Sequence, residues 1–283
     1  MFTTLIGTAD LAARLGDASV VIVDVRHDLA QPDDWGMTQF RLGHIRGARF
    51  AHLDRDLSAA KSGRNGRHPL PDPAACAAVF GRLGIDATKQ VVAYDQGNGV
   101  YAARLWWMLH FSGHDAVAVL DGGFAQWKRE GRTVTTATPA VDAITFAPHH
   151  LASPVDAEAV AGSLAARSLL LVDARARERY RGDVEPLDPV AGHIPGAINR
   201  PFAENLDADG RFKPAAALAS EWKALTAGRD PGSIVHYCGS GVTACHNLLA
   251  MDHAGLSGAR LYAGSWSEWC SDPGRPVARG DAQ

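Results

Sequence analysis

An internal repeat constrains this chain more than any other feature. The run Val20-Val21-Ile22-Val23-Asp24-Val25-Arg26 has a counterpart in Leu169-Leu170-Leu171-Val172-Asp173-Ala174-Arg175. Nineteen residues after each Asp stands a Gly-His-Ile triplet, Gly43-His44-Ile45 and Gly192-His193-Ile194, and a Gly-Ala follows one residue on, all at an offset of 149. Further along, Val91–Tyr94 matches Ile234–Tyr237 at 143, and Gly122 and Trp127 match Gly264 and Trp269 at 142. A length of 283 residues suits two domains of ordinary size, so one domain has been duplicated. The expected division is a first domain over 1–135, a linker over 136–153 and a second domain over 154–283. The linker is placed where a Thr cluster, Pro139 and Pro148 disfavour helix.

Each copy alternates short apolar runs with helical patterns. Val20–Asp24, Gln90–Tyr94 and Ala116–Leu120 read as buried strands, bounded by turn formers and too short for helices. Pro73–Leu83 and Val100–Phe111 read as helices. The second copy repeats this with strands near Ser168–Asp173, Ser233–Tyr237 and Ala259–Tyr262, and helices near Pro214–Leu225 and Val242–His253. Such alternation predicts an α/β fold: two tandem domains, each a mostly parallel sheet flanked by helices on both faces.

Lys plus Arg number 28 and Asp plus Glu 31, a net charge of −3, which gives no general attraction to a polyanion and argues against nucleic acid. No run of about 18 apolar residues exists to cross a membrane. Asp10 and Arg14 interrupt the opening residues, which therefore do not read as a secretory signal. Four cysteines, Cys76, Cys238, Cys245 and Cys270, are too sparse for a disulfide scaffold and include no C-x-x-C pair for zinc. Reduced thiols in a cytoplasm are the expectation, with no metal and no organic cofactor.

Duplication supplies a control: residues shared by both copies serve the fold, and residues present in one copy are candidates for function. His44 and His193, and the pairs Asp24/Arg26 and Asp173/Arg175, fall in the first class. The copies diverge after the strand that ends each third quarter. The first reads Tyr94-Asp95-Gln96-Gly97-Asn98-Gly99, the second Tyr237-Cys238-Gly239-Ser240-Gly241-Val242-Thr243. Cys238 thus stands at the carboxyl end of a buried parallel strand, the edge where such sheets bind ligands. The glycines let successive N–H groups turn inward, and the following helix adds positive potential, a field that stabilises a thiolate nucleophile. Cys76 and Cys270 read as packing residues, and Cys245, about two helical turns on, reads as packing with a resolving thiol as the alternative. A phosphatase would need an Arg six positions after the Cys, where Ala244 stands.

These residues resemble the tandem-domain rhodanese sulfurtransferases, in which the first domain is inactive and the second carries the Cys loop. The similarity covers nearly the whole chain. Cys238-Gly239-Ser240-Gly241-Val242-Thr243 is similar to the signature of the 3-mercaptopyruvate sulfurtransferases. Thiosulfate-using rhodaneses typically carry cations at the second and third loop positions, here Gly239 and Ser240. The resemblance implies a persulfide on Cys238, donor contacts from the loop residues Gly239, Gly241, Val242 and Thr243, and a proton relay through Ser240, His68 and Asp54. It also implies that Arg179 binds the donor carboxylate. A second substrate Arg, expected just after a Glu-Pro, has no counterpart: Glu185-Pro186 is followed by Leu187-Asp188. The implied partners are a small-molecule sulfur donor and a thiol acceptor such as thioredoxin, or cyanide. Two other readings stay open, a thiosulfate sulfurtransferase on the same Cys and a non-catalytic rhodanese-like binding protein.

Overall fold

The computed structural model describes residues 1–149 and 154–281. Residues 150–153, at the end of the expected linker, lie outside the described residues, as do 282–283 at the end of the expected second domain. Contacts divide the chain into two compact units. One holds residues 1–59, 71–149 and 208–211; the other holds 60–70, 154–207 and 212–281. Among the described residues, no helix is long and apolar enough to cross a membrane.

The first unit is built from β1 (Leu5–Ile6), α1 (Thr8–Ala12), β2 (Val20–Asp24), α2 (Trp35–Leu42), β3 (His44–Ile45), β4 (Arg49–Phe50), α3 (Pro73–Arg82), β5 (Gln90–Tyr94), α4 (Val100–Phe111), β6 (Val117–Leu120), α5 (Gly123–Arg129) and β7 (Val134–Thr135). Its main sheet runs β1-β6-β5-β2-β4, all parallel. The central strands β2, β5 and β6 are apolar on both faces because helices cover both. Asp72 starts α3 by accepting the N–H of Ala75 at 2.8 Å, with Pro73 in the first turn where its missing N–H costs nothing. The segment 136–149 has no helix or strand; Phe146 from it packs edge-on against Phe80.

The second unit repeats the plan with α6 (Ala157–Ser163), β8 (Leu170–Asp173), α7 (Arg177–Arg181), β9 (Ile198–Asn199), α8 (Ala215–Leu225), β10 (Ile234–Tyr237), α9 (Thr243–His253), β11 (Arg260–Leu261) and α10 (Ser265–Trp269). The sheet order β11-β10-β8-β9 is parallel throughout, and a parallel bridge from Val155 to Tyr262 takes the place that β1 has in the first unit. The four longest helices, α3, α4, α8 and α9, lie within one residue of where the sequence puts them. Helices of five to eight residues, such as α2, α7 and α10, are too short to show a period and become visible only in the fold.

The shared residues hold each unit together in the same way. Arg26 pairs with Asp24 and donates to the Gly43 carbonyl at 2.8 Å; Arg175 pairs with Asp173 and donates to Gly192 at 2.7 Å. Both pairs are buried, so removing one partner strands a charge at a cost of about 3–5 kcal/mol. His44 stacks on Phe40 and faces its carbonyl at 2.8 Å, and His193 does the same with Tyr180. These histidines lock a turn to a helix, which is the packing role expected of residues found in both copies.

Candidate active site

The chain leaves β10 at Tyr237 and re-enters helix at Thr243, and the intervening loop wraps the side chain of Cys238. Cys238 is 2% exposed, and its sulfur accepts the backbone N–H groups of Ser240 at 3.5 Å and Gly241 at 3.2 Å. The loop is fixed from behind by α10. Ser265 Oγ accepts the Cys238 N–H at 3.1 Å and donates to the Tyr262 carbonyl at 2.9 Å. Trp266 and Ser267 donate their N–H groups to the carbonyls of Cys238 and Gly239. Gly241 takes φ +77°, and a Cβ there would stand 2.3 Å from the Ala263 carbonyl oxygen, so both conformation and space require glycine. Val242 closes the loop and is buried. The amides therefore point at the sulfur, and a negative charge on it is stabilised without rearrangement.

Ser240 is bonded to His68, Oγ to Nδ1 at 2.7 Å, with both residues buried. His68 belongs to the stretch 60–70, which packs within the second unit although it lies early in the chain. Gly66, at φ +86°, seats that stretch against α10: a Cβ on it would be 2.8 Å from the Gly264 carbonyl oxygen. The Arg67 N–H donates to Ser267 Oγ at 3.0 Å.

Arg179 projects from α7 and is held by Glu185, Nη2 to Oε1 at 2.6 Å, and by Asp188 at 3.4 Å. Hydrogen bonds from Arg179 and from nearby backbone N–H groups outweigh burial and hold the Glu185 carboxyl below the usual range. Arg67 pairs with Asp188 through Nη1. Both guanidinium groups reach the loop: a Cβ on Gly239 would lie 2.7 Å from Arg67 Nη2 and 3.5 and 3.6 Å from the two Arg179 Nη atoms. The loop is neutral in its own side chains, yet two cations stand over it.

Cys238, Ser240, His68, Arg179 and the loop residues Gly239, Gly241, Val242 and Thr243 are thus gathered in the second unit. Asp54 lies in the first, where its N–H donates to His52 Nδ1 at 3.1 Å and its carboxylate is 3.8 Å from His27 Nε2. One ligand atom each from His27, His52 and Asp54 falls within 4.8 Å of the others. Both ring nitrogens of His52 are already engaged by backbone, the second with the Asp33 carbonyl at 2.8 Å, which weighs against a metal there. Cys245 is buried with its sulfur 3.3 Å from the Gly241 carbonyl. Burial pushes the thiols of Cys76 and Cys270 up to about 11, which makes them poor nucleophiles at neutral pH.

Two residues of the site escape the sequence reading. Ser265 falls opposite Gly123 of the first copy, and both take φ +55°. Nothing local distinguishes such a serine from a surface one. Arg67 had a faint signal: between Gly47 and Val91 the offset between the copies falls from 149 to 143, so the first copy is six residues longer where 60–70 lies.

Comparison with known proteins agrees with the fold. The rhodanese-like domain family matches residues 8–130 and 156–272. The chain is 49% identical over 280 residues to a Pseudomonas aeruginosa protein named "Probable 3-mercaptopyruvate sulfurtransferase", covering 98% of each. It is 42% identical over 285 residues to the Mycobacterium tuberculosis "Putative thiosulfate sulfurtransferase SseB", again covering 98% of each. The crystal structure of SseA from Escherichia coli, a 3-mercaptopyruvate sulfurtransferase, superposes with a TM-score of 0.78 at 31% identity, over 94% of this chain and 99% of that one. The fold is that of a double rhodanese. The chain belongs to the tandem-rhodanese sulfurtransferases, the family that includes the 3-mercaptopyruvate enzymes. It is accordingly an enzyme that takes sulfur from a small-molecule donor and passes it to a thiol or cyanide acceptor.

Proposed function

We propose that the donor is 3-mercaptopyruvate and that the sulfur is carried as a persulfide on Cys238. The observation that carries this reading is the Ser240–His68 hydrogen bond at 2.7 Å beside a sulfur held by amides. The Cys238 thiolate attacks the donor sulfur, the carbon–sulfur bond breaks, and its electron pair moves onto carbon as the enolate of pyruvate. That carbon must take up a proton, and Ser240 with His68 behind it delivers one. Asp54 is assigned to the same relay on family resemblance alone. The loop amides stabilise the anionic persulfide, which a thiol acceptor such as thioredoxin, or cyanide, then cleaves in a separate half-reaction. Arg179 holds the donor carboxylate.

Thiosulfate is the second reading, and the two guanidinium groups over Gly239 favour it. Each already faces a carboxylate, however, and the local sum of charge suits a monoanion better than a compact dianion. Thiosulfate also has no carbanion to protonate and so gives Ser240 nothing to do. With cyanide as acceptor, kcat/KM is expected to be higher for mercaptopyruvate than for thiosulfate. Ser240→Ala is expected to lower kcat for mercaptopyruvate by roughly 100-fold or more while leaving the thiosulfate reaction nearly intact. A preference for thiosulfate, or equal loss with both donors, would overturn the assignment.

The first domain, 1–135, is read as non-catalytic because Asp95 occupies the position of the nucleophile; 136–153 joins it to the catalytic domain, 154–283. Four buried cysteines, none of them in a disulfide, suit a reducing compartment, and we place the protein in the cytoplasm.

A further inference from the structure

The two units differ toward the edge of the sheet where the strands begin. In the first, β4 pairs with β2 through Arg49 and Val23; in the second, β9 pairs with β8 through Ile198 and Val172. Arg49 and Ile198 are therefore counterparts. So are Gly84 and Ala227: each follows its helix, α3 or α8, at a left-handed φ of +65° or +51°, and donates its N–H to the carbonyl three residues back. In the first unit the Arg49 guanidinium donates to the Leu83 carbonyl and lies against Gly84. Val141 packs on the same glycine, its Cγ1 3.3 Å from where a Cβ would stand. The space is filled.

In the second unit it is open. Ile198 has no donor to send toward Thr226, the counterpart of Leu83, and a cavity of about 290 Å³ remains by the amino ends of β8 and β9. Leu164, Leu169, Ile198 and Leu225 give it an apolar wall. The hydroxyls on the wall turn to their own helices, Ser163 to the Val160 carbonyl at 2.7 Å and Thr226 to the Trp222 carbonyl at 2.8 Å. Arg167 and Arg229 complete the lining, and both are exposed. Arg229 Nη1 donates to the Arg167 carbonyl at 3.5 Å, and among the described residues neither guanidinium pairs with a carboxylate. At the offsets of 149 and 143, the first copy has Ala18 and Asp86 in their places. The copy without the plug is thus the copy with two cations, and residues present in one copy only are candidates for function.

We propose that this cavity binds a small amphipathic monocarboxylate, its apolar body against the leucines and its carboxylate between Arg167 and Arg229. The volume stands at the lower end of the range for small-molecule sites, about 300–1,000 Å³, which suits a chain of medium length. Cys238 follows the carboxyl end of β10, and β10 runs parallel to β8. The site therefore lies toward the opposite edge of the sheet from sulfur transfer and does not depend on which donor is used.

The test is calorimetric titration of the full chain with octanoate, with propionate and 1-octanol as partial ligands. One octanoate should bind per chain. Propionate, which lacks most of the apolar body, should bind roughly a hundredfold or more weakly. Octanol, which lacks the charge, should bind roughly tenfold more weakly. Changing Arg167→Gln and Arg229→Gln together should weaken octanoate roughly tenfold and leave octanol as it was. Ile198→Arg, which restores the plug of the first copy, should abolish binding of both. In every variant kcat/KM for sulfur transfer should stay unchanged. Absence of octanoate binding, octanol binding as tightly as octanoate, or octanoate binding that survives both variants would overturn the proposal. So would octanoate competing with the sulfur donor, which would put it at the Cys238 loop instead. If Ile198→Arg does not fold, the double arginine variant, altered only at exposed positions, carries the same decision.

Discussion

After β5, Phe124 and Ala125 donate their N–H groups to the carbonyls of Asp95 and Gln96; after β10, Trp266 and Ser267 donate theirs to Cys238 and Gly239. The frames are the same and the occupants differ. The Asp95 carboxylate accepts four amides, from Gly97, Gly99, Tyr101 and Ala102, at 2.9 to 3.4 Å. Cys238 presents one atom to two amides. The aspartate caps α4 and fills its own cradle. Among the described residues, the sulfur is held by the N–H groups of Ser240 and Gly241 alone. The difference teaches that this loop is first a holder of acceptor atoms, and that the proposed reaction centre differs from its twin by placing a single nucleophilic atom where the twin places a carboxylate.

The sharpest way to break the comparison is Cys238→Asp. If the two cradles are equivalent, the new carboxylate anchors the second loop as Asp95 anchors the first. Turnover and mass gain from donor should vanish while the thermal midpoint does not fall. A variant that unfolds would show that the cradles are not interchangeable. Asp95→Asn tests the other side. The amide can accept from some of the four N–H groups but turns its own NH2 toward the rest, at an expected cost of about 2–4 kcal/mol in denaturant unfolding. Burial, opposed by those four bonds, leaves the Asp95 carboxyl above its ordinary value. The folded chain therefore holds this proton more tightly than the unfolded one, and Asp95's share of stability declines as pH rises from the ordinary value to the raised one. Asn at 95 should remove that decline, which a denaturation series across the acid range would read as a changed slope.

The smallest effect concerns Ser265 and Gly123, which share φ +55°. A serine in that conformation costs about 1 kcal/mol, and here its hydroxyl holds the nucleophile's N–H. Ser265→Gly should leave stability nearly unchanged while lowering kcat/KM about fivefold, the loss of one hydrogen bond of roughly 1 kcal/mol. Unaltered kinetics would make the serine incidental.

The repeat, the parallel strands and the Cys238 loop are legible in the sequence because each depends on neighbours along the chain. Val20–Asp24 and Gln90–Tyr94 declare themselves by unbroken apolar runs, and the glycines of the loop flank the cysteine directly. The duplication even separates packing from chemistry, since His44 and His193 fall to the fold by symmetry. Arg67 and Ser265 are illegible for the converse reason. Their meaning comes from Gly239 and Cys238, which are remote in sequence, and neither sits in a periodic pattern. The neutral composition of the loop points away from cations that the fold then brings in from α7 and from residues 60–70.

That last stretch also bears on how such a protein is inherited. Residues 60–70 are encoded within the first copy and packed within the second unit. A gene trimmed to its second copy would yield a domain without His68 or Arg67. The first copy cannot be deleted whole without removing a piece of the second unit, so the duplication persists as a dependence between the halves.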